Sequence, residues 1–250
     1  MSDSRTKQRS YWDALANSDP DAAVIDPNDK RGLKNRYLGD IRDLVFLQTL
    51  AAHNVAKGVL LDVGAGTGSA ARPLLDRGHR VLGVDISFGL LRHAQARCGT
   101  GQGLFALIDG RELPVKAQSF DAAVVYVVLS YLVDDAAALA LLTNIRTALK
   151  RGAVLVMIEQ VRTKRRICED GLKVQRTTSE WHVLLEKAGF SSSTSTILRH
   201  GRFPLTPLIK AGLIPRRFWP WVRGIETWVG KYLGVLKWDY AEVRFVAVAP

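Results

Sequence analysis

The chain predicts an α/β fold, a parallel sheet of roughly seven strands with helices on both faces, and three observations carry that expectation. Short apolar runs alternate with stretches of helical periodicity along most of its 250 residues. The first two runs, Gly58 to Val63 and Val81 to Asp85, stand a helix-length apart, and each ends in or beside an aspartate. Between them, Asp62-Val63-Gly64-Ala65-Gly66-Thr67-Gly68 places three glycines in a strand-to-helix turn, where backbone can take positive φ and pass close to a ligand.

Ahead of the sheet, Tyr37, Ile41, Leu44, Val45 and Leu47 recur at helical spacing and predict a helix over about 33–52. Further apolar runs predict strands at Gly103 to Ile108, Phe120 to Val128, Ala153 to Ile158, Thr194 to Leu198 and Val243 to Ala249. Asp134-Asp135 opens a helix as N-cap and dipole partner; Leu139, Leu142, Ile145 and Leu149 share its face, and Gly152 reads as its stop. Thr177-Thr178-Ser179-Glu180 is a capping-box pattern, and the helix it opens carries Trp181, Leu184, Leu185 and Ala188 on one face and stops at Gly189. No repeat or low-complexity linker divides the chain. One domain over 1–250 is expected: a helical cap at 1–56, a ligand-binding core at 57–200, an insertion at 201–240 and a last strand at 241–250.

Apolar residues make up 47% of the chain, enough to bury a core, which excludes disorder, collagen and coiled coil. Two cysteines, Cys98 and Cys168, build neither a disulfide framework nor a four-ligand zinc site, and no metal is expected. The first residues lack the apolar core of a secretory signal, and no uncharged stretch approaches the roughly 18 to 20 residues that span a bilayer. The expected location is the cytoplasm, or the periphery of a membrane. Net charge is +11, and most of it falls after residue 150, where 17 Lys and Arg face 8 Asp and Glu. The run Arg162-Thr163-Lys164-Arg165-Arg166 contributes, as does the stretch from Arg199 to Lys237, whose only acid is Glu226.

The glycine turn places a nucleotide-like group at the carboxyl ends of the strands, with Asp85 positioned to take both hydroxyls of a ribose. Its spacing is G-x-G-x-G rather than the G-x-G-x-x-G of dinucleotide sites, and Asp62 stands immediately upstream. A carboxylate there repels a pyrophosphate and attracts a cationic amino group or sulfonium.

These pieces together resemble the class I S-adenosylmethionine-dependent methyltransferases, the type 11 group in particular, over about residues 58–160. Asp62 to Gly68 is similar to the family's first motif. Asp85 looks like its ribose acid, and Asp109-Gly110-Arg111-Glu112-Leu113-Pro114 with Ser119-Phe120-Asp121 like its adenine-side loop and fourth strand. Trp181 to Phe190 resembles the helix and Gly-Phe turn after the fifth strand. The resemblance implies a Rossmann-like sheet with its last strand antiparallel, and S-adenosylmethionine as cofactor. It places Gly64, Ala65, Gly66 and Gly68 at the methionine and ribose, Asp85 on the ribose hydroxyls, Asp109 at the adenine amino group, and Ile86 and Gly110 beside the adenine, while the charge of Asp62 makes it a further cofactor-binding candidate at a cationic tail. Tyr11-Trp12 and Lys34-Asn35-Arg36-Tyr37 resemble the family's lid; an amphipathic cover for the sheet is the alternative.

Methyl transfer from a sulfonium needs alignment and dryness more than acid–base groups. Val128-Leu129-Ser130-Tyr131 replaces the D/N-P-P-Y/F run used on exocyclic amines, neither cysteine follows a proline, and Glu159 alone cannot act as paired acids on arginine. Tyr131, past the fourth strand, and His182 are the candidates for proton transfer, each with a packing role as its alternative. Four tryptophans, Trp219, Trp221, Trp228 and Trp238, stand in or beside the basic insertion. That composition suits an anionic membrane interface or a phosphoglycan acceptor, stacks on bases less readily without an appended RNA domain, or plugs the sheet edge. The expectation is methyl transfer to a small-molecule, lipid or glycan acceptor, at oxygen. A nicotinamide-dependent oxidoreductase, a non-catalytic S-adenosylmethionine-binding partner and an RNA methyltransferase are the rivals.

Overall fold

Neighbouring residues in the sheet serve opposite faces, and both faces are apolar. Leu60 and Leu61, Ala122 and Ala123, and Leu155 and Val156 are all fully buried, each pair divided between two cores. A strand buried on both sides needs helices on both sides, which is what the alternating pattern encodes. The computed structural model describes residues 2–17, 25–26, 28–99, 101–110, 112–201, 203–232 and 239–250.

Two helices come first, α1 (Ser2–Ala16) and α2 (Leu33–Ala52), then β1 (Val59–Val63), α3 (Ala71–Leu75), β2 (Arg80–Asp85), α4 (Phe88–Cys98), β3 (Gly103–Leu107) and β4 (Phe120–Tyr126). A 3-10 turn at Leu129–Tyr131 leads to α5 (Asp135–Ala148) and β5 (Leu149–Arg162). A small hairpin, β6 (Arg166–Cys168) and β7 (Lys173–Gln175), precedes α6 (Thr178–Lys187) and β8 (Ser192–His200). The insertion holds α7 (Leu205–Lys210), a 3-10 turn at Arg216–Phe218 and α8 (Trp219–Tyr232), and β9 (Tyr240–Val248) closes the sheet.

The seven-stranded sheet has the order β3-β2-β1-β4-β5-β9-β8, parallel through β5, with β9 antiparallel to both neighbours. The expected fold is therefore present, antiparallel last strand included. One core lies under α5 and α6, where Trp181, Leu142 and Phe245 are buried; the other lies under α2 and α3 and draws in Phe203, Ile209, Trp219 and Val222 from the insertion.

Capping behaves as the sequence predicts. Asp134 accepts from the Ala136 amide at 3.0 Å, and Thr177 and Glu180 form the reciprocal capping box of α6. The end of α5 departs from expectation. Leu149 is not a helix residue but opens β5 opposite Phe120, and Gly152, at φ +73°, sits inside that strand with its amide on the Ala249 carbonyl at 2.9 Å. The register shift between Phe120 and Ala122 absorbs the irregularity, so helix runs into strand without a loop. The β6–β7 hairpin had no clear periodic signal. The basic run beside it is partly neutralised, Arg162 meeting Asp239 at 2.5 Å and Arg165 meeting Asp135 at 2.8 Å.

Candidate functional site

A cavity of about 410 Å³ opens at the carboxyl ends of β1, β2 and β4, at the point where β1 is flanked by one parallel neighbour on each side. The glycine turn forms its floor. Gly64, at φ +74°, donates to the Val84 carbonyl at 2.8 Å, and a Cβ on it would stand 2.2 Å from the Val128 side chain. A side chain at this position would collide with the turn after β4, so the approach of the two loops that shape the cavity requires glycine.

Asp62, Gly64, Ala65, Gly66, Asp85, Ile86, Asp109, Gly110 and Tyr131 all line the cavity. Asp85 accepts from the Gly66 amide and, through its other oxygen, from the Ser87 amide, each at 2.9 Å, which pins the acid to the glycine turn. A carboxylate has about four acceptor sites, so capacity for two hydroxyl donors is left. Burial raises the Asp85 carboxyl above its usual range against the pull of those amides. Asp109 is exposed at the rim and accepts from the Glu112 amide at 3.3 Å.

Asp62 is the unusual group. It is 2% exposed, and its Oδ2 has no hydrogen-bond partner. Burial pushes its carboxyl up to about 7, with Arg42 pulling the value down and Asp85 adding to the rise. Arg42 also lines the cavity; its guanidinium holds the Ser69 hydroxyl and carbonyl at 3.0 and 2.9 Å, pairs with Asp43 at 2.7 Å and lies over the Tyr126 ring. The sequence reading passed over Arg42. Its signal was there: it occupies the buried phase of α2, between Leu38 and Val45, where an arginine is out of place.

Two candidates fall outside the cavity. Gly68 packs against α4, where a Cβ would meet the Ala94 Cα at 3.1 Å, so its glycine serves the seating of a helix on the turn. His182 faces β8, its two ring nitrogens at 2.7 Å from Ser193 and 3.0 Å from Ser195. Tyr131 sits between Trp12, at 4.9 Å between ring centroids, and the Lys173 ammonium, which is 4.7 Å from its ring and 3.4 Å from its hydroxyl. Burial, then the Glu169 carboxylate, raise the Tyr131 hydroxyl well above its usual range, so it holds its proton at neutral pH.

Glu159 is wholly internal. It accepts from the Val128 and Leu129 amides at 2.9 and 2.8 Å and from the Ser130 hydroxyl at 2.5 Å. All of its bonding is thus directed at the turn after β4, where Val127 takes φ +53°, a costly conformation for a β-branched residue. The glutamate holds that turn, and the turn forms one wall of the cavity.

Helix α1 roofs the cavity through Gln8, Arg9, Trp12 and Asp13. Arg9 donates to the carbonyls of Ile86 at 3.1 Å and Ile108 at 3.4 Å; Asp13 accepts from the Ser87 hydroxyl at 2.6 Å and the Gly89 amide at 3.1 Å. Trp12 therefore has the position expected of a lid. Lys34 to Tyr37 do not: Lys34 pairs with Asp26, and the Tyr37 hydroxyl donates to Glu226 at 3.1 Å, so this segment ties the insertion down.

Residues 61–157 match the family model of a methyltransferase domain, type 11. A demethylmenaquinone methyltransferase of Thermobifida fusca is 36% identical over 144 residues, which are 55% of this chain and 60% of that one. A malonyl-[acyl-carrier protein] O-methyltransferase of Geobacter sulfurreducens is 32% identical over 127 residues, 50% of this chain and 42% of that one. The chain thus spans at most about 60% of these two relatives. The solved phosphoethanolamine N-methyltransferase 2 of Haemonchus contortus, in complex with S-adenosyl-L-methionine, shares the fold at a TM-score of 0.64 and 20% identity, over 83% of this chain and 52% of that one. The likeness read from the glycine turn is borne out.

Proposed function

We propose that this chain, whose residues 61–157 carry a class I methyltransferase domain, binds S-adenosylmethionine in the cavity and transfers its methyl group to the oxygen of a small-molecule or lipid-like acceptor. The observation that carries the reading is the buried, unpartnered Oδ2 of Asp62 with the Arg42 guanidinium behind it. An acid and a base at one end of a cavity complement an α-amino carboxylate, and an orphaned buried carboxylate oxygen is costly until a cation meets it. Asp62 would hold the ammonium of the methionine moiety and Arg42 would neutralise its carboxylate. Asp85 would accept from both ribose hydroxyls, with Ile86, Asp109 and Gly110 at the adenine.

When bound, the cofactor supplies a methyl group on a positively charged sulfur. The chain's own contribution is positional. Val128, Tyr131, Leu132, Leu141 and Trp12 wall the remainder of the cavity with apolar surface, which excludes water and aligns an acceptor. Tyr131 keeps its proton and so can donate to an acceptor but not deprotonate it. An acceptor that ionises unaided, such as a carboxylate, enol or acidic phenol, fits a site of this kind, and oxygen is the acceptor atom in the name of the Geobacter relative.

Calorimetric titration of the full chain with S-adenosylhomocysteine, S-adenosylmethionine and NAD(H) tests the reading. The first two are expected to bind, and Gly66→Arg, which fills the turn, is expected to abolish binding. Binding of NAD(H) alone would reinstate a redox role. Transfer of labelled methyl from S-adenosylmethionine into a cellular lipid extract, lost in Asp85→Ala, would then separate an enzyme from a cofactor-binding partner.

A further inference from the structure

Helix α8 carries two apolar stripes where a surface helix needs one. The first, Trp219, Val222 and Val229, packs into the core below α2, with Glu226 among them. Trp219 meets the Tyr37 ring at 5.6 Å, and Glu226 pairs with Arg199 at 3.4 Å. The second consists of Phe218, Trp221, Ile225, Trp228 and Tyr232, at spacings of three and four, which set them in one row along the helix. Their exposures are 45%, 74%, 48%, 55% and 60%. Leu213, at 70%, stands just before the row. Pro220, Trp221, Gly224, Ile225 and Trp228 enclose a shallow groove on it.

The charge around this row has one sign. Among the described residues 203–232 the only acid is Glu226, and it is 1% exposed and turned inward. Arg216 and Arg217 stand exposed at the start of α8, whereas Arg223, two residues from Trp221 and five from Trp228, lies on the other side of the helix and acts electrostatically on the buried Tyr37. Asp40 on α2 reaches Arg216 at 3.4 Å, and among the described residues no other acid pairs with Arg216 or Arg217. No helix among the described residues is long and apolar enough to cross a membrane. An amphipathic helix with aromatic rings on one face and arginines beside it is built to lie in an interface.

We propose that α8 and the turn before it seat this protein on an anionic lipid bilayer, with Trp221, Ile225 and Trp228 in the headgroup–acyl boundary and Arg216 and Arg217 on the lipid phosphates. A second copy fits less well, because a face-to-face pair of these stripes would crowd four arginines with no exposed acid of residues 203–232 between them. Nucleic acid would take the arginines and stack on the tryptophans, but gives Ile225 and Leu213 nothing to bury against. The helix is tied to the sheet whose strand ends form the cavity. Glu226 pairs with Arg199 on β8, and Arg199 pairs with Glu242 on β9 at 3.2 Å. A bilayer-seated α8 would therefore hold the cavity at a fixed place relative to the lipid.

Co-sedimentation of the full chain, without cofactor, with vesicles of phosphatidylcholine alone and of an equal mixture with phosphatidylglycerol tests this. Retention is expected to be more than about tenfold greater on the anionic vesicles and to weaken with salt. Tryptophan emission should be quenched by brominated acyl chains. The double variant Trp221→Ser, Trp228→Ser should lose retention at an unchanged melting temperature, since both rings are exposed; Arg217→Gln should weaken retention on anionic vesicles only. The proposal is overturned if wild type is not retained, or if the double variant is retained equally. It is also overturned if wild type instead forms a dimer, or an RNA complex, that the double variant loses. Because no cofactor is present, failure here leaves the cofactor reading standing, and the converse holds.

Discussion

Asp62 makes a prediction whose sign follows from its burial. Its carboxyl is raised from 3.8 to about 7 in the free chain, so the folded state binds a proton that the unfolded chain has already lost between those values. The free protein should lose stability as pH rises through 7. A ligand ammonium beside Asp62 favours the charged form and lowers its pKa, so binding should expel the proton. The affinity for S-adenosylhomocysteine is expected to rise with pH, by up to about tenfold per unit below 7, and to level off above. Calorimetry in buffers of different ionisation enthalpy would count the proton released. Asp62→Asn should bind more weakly and with little pH dependence, whereas a profile unchanged from wild type would remove Asp62 from the site. Asp62 and Asp85 were legible in the sequence because a strand, a turn and the next strand set their spacing locally. Arg9 and Asp13 were not, because they reach the cavity from a helix whose packing no local pattern encodes; Arg42 was legible only as an arginine out of place on the apolar phase of α2.

Among helices and strands, the tie between the insertion and the sheet is the most exposed to mutation. Arg199, Glu226 and Glu242 are nearly inaccessible, and burial pushes the Glu226 carboxyl up to about 7 although Arg199 pulls it down. Arg199→Met leaves two carboxylates buried without their cation and should cost about 3 to 5 kcal/mol in urea unfolding. Substituting Thr177 by Ala removes one half of the capping box of α6 and should cost about 1 kcal/mol, with the cofactor affinity unchanged. Both caps were readable because capping chemistry is confined to four residues. The end of α5 was misread for the opposite reason: Leu149 has a helical phase and Gly152 a stop signal, and only the pairing with Phe120 and Ala249 makes the segment a strand.

The assembled protein closes its cavity with a helix that belongs to neither core. Among the described residues of α1 only Ala16 is a buried apolar residue, and the helix holds the rim by the polar contacts of Arg9 and Asp13 and by the half-buried Trp12 against Tyr131. A helix that buries so little apolar surface is weakly held, so α1 should exchange its amide hydrogens faster than α2, which buries Tyr37, Leu38, Ile41, Val45, Phe46 and Leu50, in the free chain. Saturation with S-adenosylhomocysteine at about a hundred times its Kd should stabilise the fold by about 2.7 kcal/mol and slow exchange in α1. Exchange in α1 that is indifferent to ligand would show that the helix is not part of the site. The apolar pattern disclosed the sheet and both its cores, since their period is a property of the strands themselves. It could not disclose the charged part of the roof, Arg9 and Asp13, although Trp12 was marked by its likeness to a lid.

The position of β9 also bears on how the protein is made. The seven strands leave the ribosome in one order, yet the last of them is an inner strand, bonded to β5 through Val154 and Val248 and to β8 through Ser192 and Val248. Until β9 emerges, β5 has an open flank and β8 has no neighbour at all, so a nascent chain holds a nearly complete cavity half beside an adhesive, unfinished one. Chaperone demand should fall abruptly once Tyr240–Val248 clears the exit tunnel, and translation stalled just before that point should yield aggregates rather than a slightly shortened folded protein.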